Sequence, residues 1–279
     1  MYSQHTQVSN VKELVTGIKT KVLGTGTWLY SVNYYDRYNR LLQQYQTNPE
    51  GGYNRVSFAW DFEGKVTDKQ TLHKKTSAGT GITLYENFTY DHMGRITASK
   101  SGYNTTTLTT LASDTYDDLG RLTSKQQHNG QQYIDYTYNV RGWLTGINNP
   151  DVASTGNRLF AMQLFYDTDM TGSLNGTAQF NGNINGIKWR LYNNGTNQYK
   201  GYNFTYDGLN RLTQGDYGTY SGSAWTNTTN YDLSSVTYDA NGNITVMNCK
   251  NSAGSDRENL EYTYSGGGNQ LTSVSGTYN

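Results

Sequence analysis

Polar and apolar residues alternate along most of this chain in short runs that end at Gly, Asn or Asp. Phe88-Thr89-Tyr90 steps from large apolar to polar and back, and Arg95-Ile96-Thr97 steps from polar to apolar and back, with Asp91-His92-Met93-Gly94 between them. A two-residue period marks a strand with one covered face, so both arms read as strands and the residues between them as a hairpin turn. No window sustains a 3.6-residue period. The two prolines both occur as Asn-Pro, Asn48-Pro49 and Asn149-Pro150, where turns are expected. The pattern predicts an all-β chain.

The same stretch recurs from near one end to the other. Its anchors are Tyr35-Asp36, Trp60-Asp61, Tyr90-Asp91, Tyr116-Asp117, Tyr138-Asn139, Tyr206-Asp207 and Tyr238-Asp239. Three residues after each Asp or Asn stands Asn39, Gly64, Gly94, Gly120, Gly142, Asn210 or Gly242. A basic residue usually follows (Arg40, Lys65, Arg95, Arg121, Arg211), then an aliphatic one. Thr comes next in six of the seven copies: Thr67, Thr97, Thr123, Thr145, Thr213 and Thr245. Two looser copies are Tyr166-Asp167, which loses the pattern at once, and Tyr264-Ser265, where Gly266-Gly267-Gly268-Asn269 lengthens the turn by one residue.

These offsets describe one hairpin turn. An Asp or Asn at the first position can accept a backbone N–H two residues on. Two ordinary residues take right-handed angles, and the fourth takes a positive φ, which Gly tolerates best and Asn next. This is a type I turn closed by a Gly bulge. It places Asp91 opposite Arg95 and Tyr90 opposite Ile96. One face then carries Phe88, Tyr90 and Ile96, and the other Thr89, Asp91, Arg95 and Thr97. The tyrosines are expected to stack between successive repeats and to supply most of the burial.

Anchors lie 22 to 40 residues apart. Residues 1–30 read as strands of a preceding unit or a partial repeat, with a strand near 14–19 leading into Trp28-Leu29-Tyr30. Residues 31–165 read as repeats, 166–205 as an atypical Asn-Gly-rich repeat or insertion, and 206–279 as repeats again. In the atypical part, 179–184 is expected to form a hairpin in place of the standard turn, followed by a strand over 186–190. The Thr-, Ser-, Gly- and Asn-rich segments 101–113 and 217–230 are expected to be exposed excursions. Thr277-Tyr278-Asn279 matches the Thr137-Tyr138-Asn139 lead into an earlier turn, so the chain is expected to stop inside a further repeat.

Composition supports a thin architecture. Hydrophobic residues make up 34% of the 279, and 26 of them are tyrosines. With Gly counted and Tyr left out the apolar share is about 36%, against roughly 45–50% for ordinary globular chains. That is too little for a thick core and too aromatic for disorder. Formal net charge is zero, with basic residues scattered among the turns, which excludes a nucleic-acid or anionic-membrane footprint. No apolar run approaches the ~18 residues of a membrane helix, so no membrane insertion is expected. Met1-Tyr2-Ser3-Gln4-His5 has no basic region leading into an apolar one, so no signal peptide is visible. Cys249 is a single thiol, and no internal disulfide can form.

Candidate chemistry is sparse. His5, His73, His92 and His128 lack metal-ligand spacing, and the Gly266-Gly267-Gly268 run has no Gly-Lys-Ser/Thr to make a phosphate loop. Asp36, Asp61, Asp91, Asp117, Asp207 and Asp239 could suggest calcium or paired-carboxylate work. One repeated turn explains them all, whereas an active site needs a single special constellation. No catalytic, cofactor or metal residue is assigned. Trp60, Trp143, Trp189 and Trp225 are candidates for stacking on glycans, although strand-borne Trp more often packs.

The motif Tyr-Asp-x-x-Gly-Arg-Leu-Thr, complete as Tyr116-Asp117-Asp118-Leu119-Gly120-Arg121-Leu122-Thr123, resembles the YD repeats of the RHS (rearrangement hotspot) family. Bacterial RHS proteins, the BC components of insecticidal toxin complexes and animal teneurins share that repeat. The resemblance runs from about Trp28 to the end. It implies a hairpin solenoid, a coiled strand ribbon forming part of a hollow shell that in the toxin members encloses a C-terminal cargo. Chemistry in the family belongs to the cargo and to a core region with self-cleaving aspartates near an Asp-Pro motif. This chain has no Asp-Pro pair, so no catalytic residue carries over. The implied function is non-enzymatic: a segment of a secreted or cell-surface bacterial protein that encapsulates or displays a C-terminal polypeptide, its partner being the rest of the same chain. The competing reading is an adhesin whose repeat surface binds glycans or another protein.

Overall fold

The computed structural model describes residues 11–153, 156–168, 170, 176–220 and 224–278. Every regular element among them is a strand, as the two-residue alternation predicts. The chain divides into two compact units, Met1–Tyr133 and Ile134–Asn279.

The first unit holds β1 (Gly17–Lys21), β2 (Trp28–Tyr35), β3 (Leu41–Thr47), β4 (Tyr53–Trp60), β5 (Val66–Lys74), β6 (Ile82–Tyr90), β7 (Ile96–Tyr103), β8 (Thr109–Tyr116) and β9 (Leu122–Gln127). Each pairs antiparallel with its neighbour in the chain. The second holds β10 (Gln132–Tyr138), β11 (Leu144–Ile147), β12 (Phe160–Phe165), β13 (Gly186–Asn193), β14 (Thr196–Tyr206), β15 (Leu212–Tyr220), β16 (Trp225–Asn227), β17 (Leu233–Tyr238), β18 (Ile244–Lys250), β19 (Asp256–Tyr264) and β20 (Leu271–Tyr278). The meander continues here, except that β15 pairs with both the short β16 and, through Gly215, with β17. In a meander alternate turns fall on opposite edges. The motif turns therefore share one edge within each unit.

The two units bury different things. In the first, no hydrophobic side chain among the described residues is fully buried, while Asp36 and Ser57 are. In the second, Phe165, Met170 and Trp225 form a cluster joined by Tyr199 and Tyr220, and Ala161, Tyr166, Tyr217 and Val236 are also buried.

Three expectations are corrected. Residues 179–184 contain bends and extended chain, with no hairpin; the side chain of Asn181 caps the Asn183 N–H locally, and no strand pairing competes. Segment 101–113 is strand at both ends, in β7 to Tyr103 and β8 from Thr109, so only the largely exposed 104–108 connection leaves the sheet. Segment 217–230 is folded inward at Tyr217 and Trp225, 6% exposed each. Aromatic burial there overrides the Ser- and Thr-rich composition. The strand expected near 14–19 is β1, two residues further along at its end.

Candidate functional site

The turn between β6 and β7 shows how the motif works. Asp91 divides its carboxylate: Oδ1 accepts the N–H of Met93 and of Arg95, both at 2.9 Å, and Oδ2 accepts Arg95 Nε at 2.6 Å. The backbone closes with Asp91 N–H to the Arg95 carbonyl and Gly94 N–H to the Asp91 carbonyl, each 3.0 Å. Gly94 has φ of 81°. The bond from the side chain to the residue two on is the one the sequence requires. Burial would raise the Asp91 carboxyl, but the donors of Arg95 and Met93 outweigh it and hold the group below the ordinary carboxylate range.

The other copies repeat this with the same atoms. Asp36 receives Tyr38 and Arg40, Asp117 receives Leu119 and Arg121, and Asp207 receives Leu209 and Arg211. Asn39 and Asn210 take the positive φ of the glycine, at 62° and 63°. At Asp61 the Oδ1 takes the Lys65 N–H, and Gly64 closes the turn. Asn139 accepts the N–H of Arg141 and Trp143, and Gly142 closes its turn. Asp239 accepts Asn241 and Asn243 N–H, and Asn243 Nδ2 reaches Oδ2 at 2.8 Å, standing in for arginine. The carboxyls of Asp36, Asp117, Asp207 and Asp239 are likewise held low by these donors, against the opposing effect of burial. The Gly266-Gly267-Gly268 run is the lengthened turn, closed by Ser265 N–H to the Gln270 carbonyl at 3.0 Å.

Beyond the turn the pairing slips once in every copy. Tyr90 faces Ile96, as expected, but Thr89 faces Ala98, leaving Thr97 as an extra residue. The same slip sets aside Thr67, Thr123, Thr145, Thr213 and Thr245. The motif threonine is thus a bulge residue. Its hydroxyl is placed beside the threonine before the anchor: Thr89 with Thr97 at 3.1 Å, Thr115 with Thr123 at 3.2 Å, Thr137 with Thr145 at 3.1 Å and Thr237 with Thr245 at 2.8 Å.

The anchor aromatics link one repeat to the one before. In the first unit the hydroxyls of Tyr35, Tyr90 and Tyr116 donate to the carbonyls of Val15, Val66 and Ile96, at 2.9, 2.7 and 3.0 Å. Trp60 does the same through Nε1, to Leu41 at 2.9 Å. In the second unit Tyr166, Tyr206, Tyr238 and Tyr264 donate to Leu144, Ile184, Leu212 and Ile244, at 3.0, 2.7, 2.7 and 3.0 Å. Val15 and Ile184 hold the place of the motif aliphatic where no motif is legible. Tyr166 and Ile184 therefore bracket a repeat whose described connecting residues, 167–168, 170 and 176–183, do not follow the short turn.

The expected stacking of anchor on anchor does not occur among the described ring pairs. The side chain after the turn glycine lies over the next anchor ring instead: Arg95 on Tyr116 and Arg211 on Tyr238, both 4.5 Å from the ring centre, Lys65 on Tyr90 at 5.4 Å and Arg40 on Trp60 at 5.7 Å. Trp143, at that position, packs on Tyr166 at 5.1 Å. A guanidinium already fixed by the turn carboxylate loses little further freedom in covering a ring, which favours this over ring-on-ring contact. Arg40 also donates Nη1 to the Asp61 carbonyl at 2.7 Å, tying one turn to the next. Where both occur, a hydrogen bond and a cation–π contact of these kinds are worth about 1–2.5 kcal/mol together.

A family model described as RHS Repeat matches residues 116–151, which contain the Tyr116 and Tyr138 turns. That match covers one stretch of two consecutive turns. A search of curated protein sequences finds no match. Among solved structures, the chain is similar to the crystal structure of TcdB2-TccC3 without its hypervariable C-terminal region, at 11% identity and TM-score 0.29 over 90% of this chain and 19% of that one. A Photorhabdus luminescens Tc holotoxin pore follows at 12% identity and TM-score 0.26, over 90% of this chain and 18% of that one. A porin-like protein from Bacteroides uniformis matches at 10% identity and TM-score 0.20, over 94% and 96%. The chain spans about a fifth of the length of the first two.

Outside the turns, the remaining sequence candidates are used for packing. Trp225 is buried, Trp189 stacks on Tyr202 at 6.1 Å and 17°, and Trp60 and Trp143 serve the repeat junctions. His73 meets Asn54 on the neighbouring strand, His92 sits in a turn, and His5 lies outside the described residues. Burial pushes the Cys249 thiol above its ordinary value. Among the described residues no three His, Cys, Asp or Glu side chains come together as a metal site. No helix is long and apolar enough to cross a membrane.

Proposed function

We propose that this chain is a structural stretch of an RHS-repeat shell that encloses or displays a polypeptide continuing from the same chain, of the polymorphic-toxin type, in a secreted or surface-associated protein. The observation that carries the reading is the repeat junction. At one junction after another an anchor hydroxyl or indole N–H donates to a carbonyl of the repeat before, and at four of them a basic side chain of that repeat covers the anchor ring, so the motif's polar groups are spent on neighbouring repeats. Chemistry performed on an outside substrate would require a constellation that departs from this plan. The four tryptophans suited to glycans are engaged internally, which weighs toward scaffold over adhesin.

The test is limited proteolysis of the full-length gene product. The C-terminal portion should resist protease while the repeats are folded and become cleavable when mild denaturant opens them. Equal cleavage in both conditions, or saturable binding of the chain to a glycan array, would count against the shell.

A further inference from the structure

Away from the turns, the second unit buries an arginine that has no counter-ion among the described residues. Arg190, on β13 opposite Ala161 and Tyr199, is 1% exposed. Its Nη1 donates to Asn197 Oδ1 at 2.9 Å and its Nη2 to the Arg158 carbonyl at 3.3 Å, while Nε has no acceptor. No carboxylate among the described residues pairs with it: Arg158 takes Asp135, and Lys188 on the same strand takes Asp151. An unpaired buried cation is costly, and structures normally compensate one. Burial also lowers the affinity of this guanidinium for its proton.

Arg190 and Arg158 both line a cavity of about 430 Å³, together with Asp135, Asn148 and Val152. Arg158 bonds Asp135 Oδ2 through Nε at 3.1 Å and Nη2 at 2.7 Å. Asn148 fixes the wall, accepting the Asp135 N–H at 2.9 Å and donating to the Phe160 carbonyl at 2.7 Å. The lining holds two guanidiniums and one carboxylate, which leaves it positive by one charge.

We infer that this cavity is a carboxylate-binding site, with the anion held in the field of Arg190 and against Arg158. A single negative charge neutralises the wall. A phosphate dianion would overshoot it and be repelled by Asp135, so a carboxylate is the better match. Val152 supplies an apolar wall for the carbon chain that a carboxylate carries.

The probe is acetate, exchanged for chloride at constant ionic strength, with the melting midpoint and titration calorimetry as readouts. Acetate should raise the midpoint saturably, as binding to the folded state requires, and Arg190→Met should abolish the rise. Because that change replaces an unpaired buried cation with an apolar chain, the variant's midpoint in chloride should not fall. If Arg190→Met does not fold, Arg158→Gln decides: binding at least tenfold weaker supports the site, and unchanged binding overturns it. A blocked peptide with one central Asp separates the sources. Displacement of acetate by the peptide assigns the site to an acidic side chain of a polypeptide, and failure to displace assigns it to a small organic acid. No acetate effect beyond chloride, or inorganic phosphate binding more tightly than acetate, overturns the inference.

Discussion

At the scale of single residues, the anchor position asks for an aromatic that can donate a hydrogen bond sideways. Tyr90→Phe keeps the ring under Lys65 but leaves the Val66 carbonyl without its donor. It should lower stability by about 0.5–1.5 kcal/mol in urea unfolding. Tyr90→Ala should lose more, and should lower the melting midpoint further than Asp91→Ala does. Trp60→Tyr should be close to neutral while Trp60→Phe repeats the loss. The turn residues were legible because their jobs are local: an Asp that caps, a Gly that accepts φ of 81°, a basic residue opposite. The partner of the tyrosine hydroxyl was not legible, since a backbone carbonyl some twenty residues upstream has no residue identity of its own. The hint was chemical: Trp replaces Tyr at one anchor, and Phe at none.

At the scale of elements, the same five-residue turn serves the other edge of the sheet without its motif. Asn48 accepts the N–H of Glu50 and Gly52 between β3 and β4, and Asn251 accepts those of Ala253 and Ser255 between β18 and β19. Gly51 and Gly254 take the positive φ, 81° and 78°. The Asn-x-x-Gly spacing was visible in the sequence but lacked the flanking Tyr and aliphatic residue. Those flanking residues belong to the junction between repeats and are not needed by the turn. Asn251→Ala removes the acceptor for two backbone donors and should cost about 1–2 kcal/mol, measured by the denaturation midpoint of β19 amide exchange. The hairpin expected over 179–184 does not form, for the converse reason. Its Asn-Gly pairs signal tight turns, yet the anchors at Tyr166 and Ile184 already set the strand ends.

For the molecule as a whole, two kinds of burial predict two kinds of stability. The second unit holds the Phe165–Met170–Trp225 cluster, and the first has no fully buried hydrophobic side chain among its described residues. Amides of β14 and β15 should exchange more slowly than those of β3 and β4, and equal protection would contradict this. Dependence on pH has two limbs. The turn carboxyls are held low by their backbone and arginine donors, so their contribution is complete above pH about 4 and is lost as pH falls through the lowered values. Tyr90, Tyr116, Tyr166 and Tyr206 are raised by burial, so their contribution is complete below pH about 10 and is lost as pH rises beyond it. Asp232, raised by its burial, runs against the acid limb and blunts it. The urea midpoint should form a broad plateau with a fall at each end. The all-β architecture was readable from alternation. The buried positive charge at Arg190 was not, because its position in a strand looks like any other until the loop beside it closes.

The hydroxyl link has a direction. Each anchor donates backward, to a carbonyl that precedes it in the chain by 19 to 26 residues. A repeat leaving the ribosome therefore finds the acceptor of its anchor already made, and only its turn cation waits for the next anchor ring. Contacts this near in sequence close quickly and let a long β-chain settle in the order of its synthesis. Such a chain can be extended by duplication of a repeat without any earlier repeat having to change its partners.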